Sequence, residues 1–286
     1  MVQGVFPAGA LTPAPGGLFS AADVTRDAGT PQWANGAYGW DSDACPTELL
    51  LSDFCTNQAE APIASADSPE NGSWPFGVIA RYECYTPGYT VEQRREIARK
   101  QAEAGSQKAV EHELWTGQIA QASNRLDVPY LNNNGAVDVG GPVKAALAVA
   151  KLEQALADCG LGTQGVIHLT RQAAVVAASQ NVIERDGDKL FTALGTPVVA
   201  GVGYDPAVTP AAPKNSPVPA PPALGPRPDN QYGFATGPVY VRLGGVEIIG
   251  EHLDHSTNVI ETLAGRPAAV YWDSCCTASV QIDTTP

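Results

Sequence analysis

The densest group of side chains able to do chemistry is the pentapeptide Glu251-His252-Leu253-Asp254-His255. Imidazoles and carboxylates can bind zinc, and on a helix the residues at i and i+3 would share a face. The flanking residues, however, have the alternating pattern of strands, and no second histidine cluster stands elsewhere in the chain. We therefore interpret the pentapeptide as a solvated turn between two strands.

Cysteine is the next candidate for reactivity, and none of the six forms a Cys-x-x-Cys pair, so neither a zinc ribbon nor a redox motif is indicated. The adjacent Cys275 and Cys276 are too close in sequence for an ordinary disulfide between them. We expect reduced, mostly buried thiols. The six are Cys45, Cys55, Cys84, Cys159, Cys275 and Cys276.

Motifs for nucleophiles and nucleotides are incomplete. His168 and the Asp273-Ser274 pair lack the Gly-x-Ser-x-Gly sequence that presents a serine nucleophile. Gly201-Val202-Gly203 lacks the third glycine and the following helix of a dinucleotide site, and Pro206 intervenes. We assign no catalytic, cofactor-binding or metal-binding residue. A small α/β enzyme using Cys or His chemistry remains the least favoured of three functional hypotheses.

The charge balance bears on partners. The chain has 286 residues, with 17 basic against 30 acidic side chains and a net charge of −13. A protein that grips nucleic acid through its phosphates needs clustered Lys and Arg, so sequence-specific DNA binding is not expected, whereas a container that must not adhere to DNA would be acidic. No apolar run of 18 residues occurs, so we expect no membrane association. No signal-peptide pattern occurs either, so we expect the protein to be made in the cytosol.

One long helix organises the elements that could position any site. A strand at residues 76–84 precedes Thr90, which can cap a helix running from Val91 to about Trp115, with Gly117 as its C′ residue. Charged side chains cover most of this helix, as expected of a strut, and its narrow apolar stripe should pack on the strand at 268–272. The stripe consists of Val91, Ile97, Ala98, Ala102, Ala109, Val110, Leu114 and Trp115; the charged set is Arg94, Arg95, Arg99, Lys100, Glu103, Lys108, Glu111 and Glu113.

The remaining elements follow in order. Residues 1–32 predict an arm that orders only against a neighbour, and residues 33–73 predict two strands around a long loop. Pro142 is expected to open a helix that Gly160 closes, with Val143, Leu147, Ala150, Leu152, Ala155 and Leu156 on its buried face. A buried strand at 166–169, a helix from Arg171 to about Gln180 capped by Thr170, and a strand at 190–192 come next. The nine prolines between 205 and 231 predict an exposed loop. Strands are then predicted at 237–243, 246–250, 258–263, 268–272 and 278–282.

This order resembles a known fold. The strand beginning Trp74-Pro75-Phe76, the charged helix and its ending Glu-x-x-Leu-Trp-x-Gly at 111–117 are similar to the spine-helix region of tailed-phage major capsid proteins of the Hong Kong 97 type and of encapsulins. Gly195, Pro197, Val198 and Val199 fill the places of a Gly-x-Pro-hydrophobic-hydrophobic segment of the same proteins. The resemblance covers about residues 33–284, and the proline-rich loop departs from it.

The resemblance implies an α+β fold of Hong Kong 97 type. Its parts would be an N-terminal arm (1–32), an extended loop lying over an adjacent subunit (33–73), a peripheral domain with the spine helix (74–117 and 251–286), and an axial α/β domain (118–250) that includes the proline-rich loop (205–231).

The function implied is that of a non-enzymatic major capsid protein. Hexamers and pentamers of the chain would form an icosahedral shell around double-stranded DNA, assembled in the host cytoplasm and found in the virion. Portal, scaffolding and decoration proteins would be the further partners, and no cofactor is implied. The alternative within the fold is an encapsulin-type nanocompartment.

Overall fold

The computed structural model describes residues 12–35, 38–40, 49–53, 58–64, 71–85, 89–123, 130–132, 136–159, 164–207, 229–273 and 276–285. The helices in this part are α1 (Leu18–Ala21), α2 (Val91–Thr116), α3 (Gln118–Ala122), α4 (Ala145–Ala157) and α5 (Arg171–Ser179), with a 3-10 turn at Gln32–Asn35. The first strands are β1 (Asp23–Arg26), β2 (Tyr38–Trp40), β3 (Leu49–Asp53), β4 (Gln58–Ala64), β5 (Asn71–Ser73), β6 (Phe76–Tyr85), β7 (Val137–Asp138) and β8 (Val143–Lys144). The later strands are β9 (Val166–Thr170), β10 (Ile183–Asp186), β11 (Lys189–Thr192), β12 (Pro197–Gly201), β13 (Asn230–Thr236), β14 (Val239–Leu243), β15 (Glu247–Asp254), β16 (Val259–Trp272) and β17 (Ala278–Asp283).

Helix α2 forms as its sequence predicts. The Thr90 hydroxyl accepts a hydrogen bond from the Gln93 N–H, and the Gln93 side chain accepts one from the Thr90 N–H, which completes a capping box. The helix ends where Gly117 takes a left-handed conformation with φ 59°, a conformation that costs glycine little. Its 26 residues extend about 39 Å at 1.5 Å per residue.

Two larger sheets both contribute residues to the cluster that packs with this helix's C-terminal half. In the first, β14 and β15 pair with successive parts of one edge of β16, β6 pairs along the other edge, and β1 pairs with β14. In the second, the order is β10-β11-β12-β9-β13-β17, with β7 and β8 both parallel to β17. Strand β14 precedes residue 250 and belongs to the first sheet, whereas β17 follows it and belongs to the second. The sheets therefore do not follow the domain boundary expected at residue 250.

Strand β16 is continuous, whereas the sequence predicted a break between residues 263 and 268. Gly265, Arg266 and Pro267 lie in this interval. In the fold, the Pro267 carbonyl accepts from the Gly244 N–H. In an antiparallel strand the N–H of a residue points to the same side as its carbonyl. The donor that Pro267 lacks would therefore point to the side of β16 where the chain loops from β14 to β15. The Gly244 carbonyl, which would accept from an N–H at position 267, accepts from the Arg266 guanidinium, and the proline is tolerated.

Three further boundaries differ from expectation. Helix α4 begins at Ala145 and not at Pro142, because residues 143 and 144 pair with β17. Leu147 is 52% exposed and Ala150 is also exposed, although both were expected to be buried. Strand β13 lies at the centre of the second sheet between β9 and β17, but the proline-rich composition before it concealed it. Strand β15 continues through Asp254, so only His255 of the turn predicted at 251–255 lies in the observed turn, which spans residues 255–258. Gly160, the expected end of α4, lies outside the described residues.

The N-terminal segment corrects the prediction that residues 1–32 order only against a neighbour. Within the described part of it, Leu18 is fully buried in this chain's own core, and β1 pairs in parallel with β14. This attachment is hard to predict because the segment has no periodic apolar pattern and is held largely through its backbone. Residues 1–11 lie outside the described part.

Residues 33–73 contain two antiparallel ladders where two strands were expected. Strand β2 pairs with β5, and β3 pairs with β4. The Ser73 hydroxyl donates to the Val270 carbonyl, which attaches the base of this region to β16. The predicted proline-rich loop falls almost wholly on residues 208–228, which lie outside the described residues.

Cysteine chemistry also differs from expectation. Cys159, just after α4, and Cys276, just before β17, form a disulfide between residues 117 positions apart. Such a separation leaves no local signal in the sequence. Cys84 is free and half-buried, and Cys45, Cys55 and Cys275 lie outside the described residues.

Candidate functional site: the junction of the two sheets

The helix α2 stripe is buried along most of its length. Ala98 and Ala102 pack against Ala264 of β16, which lies N-terminal to the strand segment expected there. Farther along α2, Val110, Leu114 and Trp115 enter a cluster that includes Ala268, Val270 and Trp272. The exception is Val91 at the first turn, which is 38% exposed. The small side chains let the helix and the strand approach closely where the two lie alongside each other.

Aromatic rings close this cluster from the second sheet. Trp115 stacks on Tyr204 with ring centroids 4.4 Å apart and meets the edge of Phe234 at 5.0 Å. The Trp115 indole N–H donates to the Asp205 carbonyl at 3.0 Å. Tyr204 and Asp205 follow β12, and Phe234 lies on β13, so one tryptophan of α2 packs against two parts of the second sheet.

His168 lies at the centre of a buried chain of hydrogen bonds. Its Nδ1 is 2.7 Å from the Tyr204 hydroxyl, and its Nε2 is 2.9 Å from Thr236 Oγ1. The Thr236 hydroxyl donates its only hydrogen to the Gly237 carbonyl, so it must accept from His168 Nε2–H, and Nδ1 must accept from Tyr204. Complete burial lowers the pKa of His168 from 6.5 to about 3, and burial raises the pKa of Tyr204. Both rings are therefore neutral at pH 7.

Glu111 was assigned to the charged face of α2, but its side chain is fully buried. One carboxylate oxygen accepts from the Leu18 N–H at 2.8 Å and from Gln107 Nε2 at 2.9 Å, and the other accepts from the Gly203 N–H at 2.8 Å. Burial raises the pKa of Glu111, while these hydrogen bonds oppose the rise. The signal in the sequence was its position, because residue 111 falls between Val110, Leu114 and Trp115 on the buried side of the helix.

Arg94 is the second charged residue that the stripe analysis misplaced, since its side chain is only 7% exposed. Its guanidinium donates to the Tyr89 carbonyl before the helix. Long basic side chains can bury their apolar stems in this way.

The carboxylates of the 251–255 cluster are bound by neighbours within the chain. Glu251 forms two hydrogen bonds with the Arg95 guanidinium, at 2.6 and 3.2 Å, which lower the pKa of Glu251. Asp254 accepts from the N–H and hydroxyl of Ser256 and from the Thr257 hydroxyl, and these bonds lower the pKa of Asp254 to about 2. Among the described residues, no three His, Cys, Asp or Glu side chains are grouped so as to hold a metal ion.

An open groove lies between α2 and the free edge of β6. Its volume is about 330 Å³, and Ala102, Gly105 and Ala109 line it from the helix. Ile79 of β6 is 60% exposed and Ile119 of α3 is 46% exposed at its margins. Within the described ranges, β6 pairs with β16 alone, so its outer backbone edge has no strand partner there beside this groove.

Surface charges in the described part of the chain form dispersed pairs of opposite sign, such as Arg81 with Glu83 and Glu261, and Lys144 with Asp283. None of the helices described has the length and apolar character needed to cross a bilayer.

No protein-family model matches the sequence, and no curated protein matches it either. Solved structures do match. The structure named for Mycobacterium phage Adephagia has a TM-score of 0.53 at 12% identity and covers 100% of this chain and 96% of that chain. The capsid of an empty GTA particle has a TM-score of 0.50 at 12% identity, covering 98% of this chain and 92% of that chain.

The holo-SrpI encapsulin complex from Synechococcus elongatus PCC 7942 is equally similar, with a TM-score of 0.50 at 11% identity over 100% of this chain and 93% of that chain. Each likeness extends over nearly the whole of both chains and therefore concerns the complete fold. This chain has the Hong Kong 97 type of capsid fold.

Proposed function

We propose that this chain is a major capsid protein that assembles, as hexamers and pentamers, into an icosahedral shell around double-stranded DNA. The observation that supports this most strongly is the likeness, over 98% of this chain, to a protein described as the capsid of a GTA particle. In this proposal the protein is structural and not an enzyme. It is made and assembled in the host cytoplasm and resides in the virion, with portal, scaffolding or decoration proteins as further partners.

The proposed division of labour follows the two sheets. Residues 74–117 and 251–286 form the peripheral domain, residues 118–250 the axial domain, residues 1–32 the arm and residues 33–73 the extended loop. The second sheet packs with α4 and α5 around one hydrophobic cluster and the first sheet packs with α2 around another, which supports two domains, while a third cluster joins the two sheets. Strand membership refines the boundaries, with β14 and the start of β15 assigned to the peripheral domain and β17 to the axial domain.

Several of the groups considered for catalysis have structural partners, which favours a structural role. Both ring nitrogens of His168 are hydrogen-bonded in the core. Cys159 and Cys276 are joined to each other, and Glu251 pairs with Arg95. A histidine with no free nitrogen cannot serve as a general base unless its surroundings rearrange.

An encapsulin-type compartment is the second candidate, because the encapsulin structure is as similar to this chain as the GTA capsid is. The contents of purified particles would distinguish the two functions. Particles rich in DNA would support the capsid, and particles that carry a protein cargo without DNA would support the encapsulin.

A deletion within the extended loop tests the shared element of both proposals, which is assembly. Trp40 and Asn71 are register partners at the end of the β2–β5 ladder, so a two-residue Asn-Gly turn can replace residues 41–70. If the loop binds a neighbouring subunit, the shortened chain should fold and remain unassembled. Size-exclusion chromatography and negative-stain electron microscopy would measure assembly.

The intact chain, purified in parallel, is the control for assembly, and circular dichroism with a thermal midpoint is the control for folding. A shortened chain that forms normal shells would overturn the role assigned to the loop. An intact chain that forms no closed particle under any assembly condition would overturn the proposed function.

A further inference from the structure

Residues 14–27, which we name the N-terminal strap, bind to three different parts of the molecule. The Gly16 carbonyl accepts from the Ala200 N–H of β12 at 2.7 Å, and the Gly16 N–H donates to the Asp188 carbonyl at 2.6 Å, both in the second sheet. Strand β1 pairs with β14 of the first sheet. Between these attachments, the Leu18 side chain is buried in the cluster below α2. The strap therefore crosses the junction of the two sheets.

Glu111 lies under the middle of this strap. One of its oxygens accepts the Leu18 N–H of the strap, and the other accepts the Gly203 N–H of the segment leaving β12. Its neighbour Gln107 donates to the strap carbonyl of Ala14 as well as to Glu111 itself. A single carboxylate on α2 thus links the strap to the second sheet, and its described hydrogen-bond donors are amides.

Two glycines allow the backbones to reach this carboxylate. A Cβ at Gly17 would lie 1.7 Å from Gln107 Nε2 and 2.7 Å from Glu111 Oε1. A Cβ at Gly203 would lie 2.3 Å from the Lys108 carbonyl oxygen and 2.7 Å from the His112 nitrogen. Only glycine lets a backbone approach this closely without displacing its surroundings.

We propose that Glu111 is a latch that holds the N-terminal strap against α2 and the second sheet, and that it thereby fixes the angle between the two sheets. Without the carboxylate, the buried Leu18 and Gly203 N–H groups would both lose their acceptor, so the two attachments would loosen together. This inference rests on the proposed function in one respect, because a subunit angle has a readout in particle diameter only if the chain forms shells.

Glu111→Gln tests the latch with almost no change in volume. The amide offers one acceptor oxygen and one NH₂ group, so one of the two backbone N–H groups would face another donor. The matched control is Glu113→Gln, two residues away on the same helix. Glu113 accepts only from the Ile119 and Ala120 N–H groups of α3 among the described residues and does not contact the strap.

Amide hydrogen exchange of unassembled subunits, followed by mass spectrometry, is the readout. In Glu111→Gln we expect peptides covering 14–26 and 201–205 to exchange at least tenfold faster, with α4 and α5 unchanged. The control should change only residues 118–122. Unchanged exchange of the strap, or equal acceleration across α4 and α5, would overturn the latch, the latter because it would describe an ordinary core residue.

Gly17→Ala provides a second variant if Glu111→Gln does not fold. Gly17 has φ −86°, which alanine adopts freely, and the atoms nearest to the added methyl belong to Gln107 and Glu111. Faster exchange confined to residues 14–26 is expected, and wild-type exchange there would count against the latch.

Particle diameter then separates the latch from the proposed function. Shells of mixed diameter from Glu111→Gln support control of the angle, whereas wild-type shells built from subunits with a loosened strap overturn it. Failure of the unmodified chain to form shells would overturn the proposed function and leave the exchange result intact.

Discussion

The buried His168 should make the stability of the subunit fall as pH is lowered from 6.5. In the folded state its pKa is lowered to about 3 from the ordinary value of 6.5, so between these values the unfolded chain binds a proton that the folded chain does not. Each pH unit in this window costs about 1.4 kcal/mol, so lowering the pH from 6.5 to 5.0 should cost about 2 kcal/mol. The contribution is fully present above pH 6.5 and continues to fall until about pH 3.

Urea unfolding of unassembled subunits at pH 7, 6 and 5 measures this slope. His168→Gln removes the titrating ring, and it should reduce the free energy of unfolding at pH 7 by about 1–3 kcal/mol because its amide cannot reproduce both hydrogen bonds. Its stability should nevertheless fall less steeply with acid than that of the wild type, by about 1.4 kcal/mol per pH unit.

The wild type and His168→Gln have the same carboxylates, so the difference between their slopes removes the carboxylate contribution. Asp254 and Asp283 have pKa values lowered to about 2, so their contribution is lost only at more acid pH, between 3.8 and 2. Burial raises the pKa of Glu111 and Glu113, so these two groups oppose the histidine as pH falls. His252→Gln, on an exposed part of β15, is the matched control for the loss of an imidazole. Equal slopes for His168→Gln and the wild type would refute the reasoning.

Three further predictions concern packing, covalent stability and DNA. Ala102→Leu overpacks a site that is 1% exposed and should cost about 1–3 kcal/mol. Its shells should be open or wrongly sized by electron microscopy, while exposed Lys108→Ala should have far less effect; normal Ala102→Leu shells would show that the seam is not tightly packed. Cys159→Ser with Cys276→Ser should lower the free energy of unfolding by about 4–5 kcal/mol, because the bond closes a loop of more than 100 residues. If reduction leaves the wild-type urea midpoint unchanged, that estimate is wrong. Finally, subunits should bind DNA without sequence preference and lose binding by about 150 mM salt; a salt-resistant shift with one sequence in an electrophoretic assay would contradict this.

The sequence determined the elements whose signals are local. Thr90, Gln93 and Gly117 specify both ends of α2 through contacts within a few residues, and Thr170 caps α5 by accepting from the Ala173 N–H in the same way. The apolar run at 166–169 is the wholly buried strand that it predicts. The order of these elements was enough to suggest the Hong Kong 97 fold, because that order persists where sequence identity is only 11–12%.

Only the tertiary structure decided which polar groups are buried and which distant segments meet. Glu111 and Lys108 are both charged residues of α2. Glu111 is enclosed because the strap arrives from 93 residues away, whereas Lys108 faces solvent. Cys159 finds Cys276 across 117 positions, and Pro267 is accepted in β16 because neighbouring strands end beside it. Each depends on contacts between residues far apart in the chain, and neither residue type nor local spacing records such contacts.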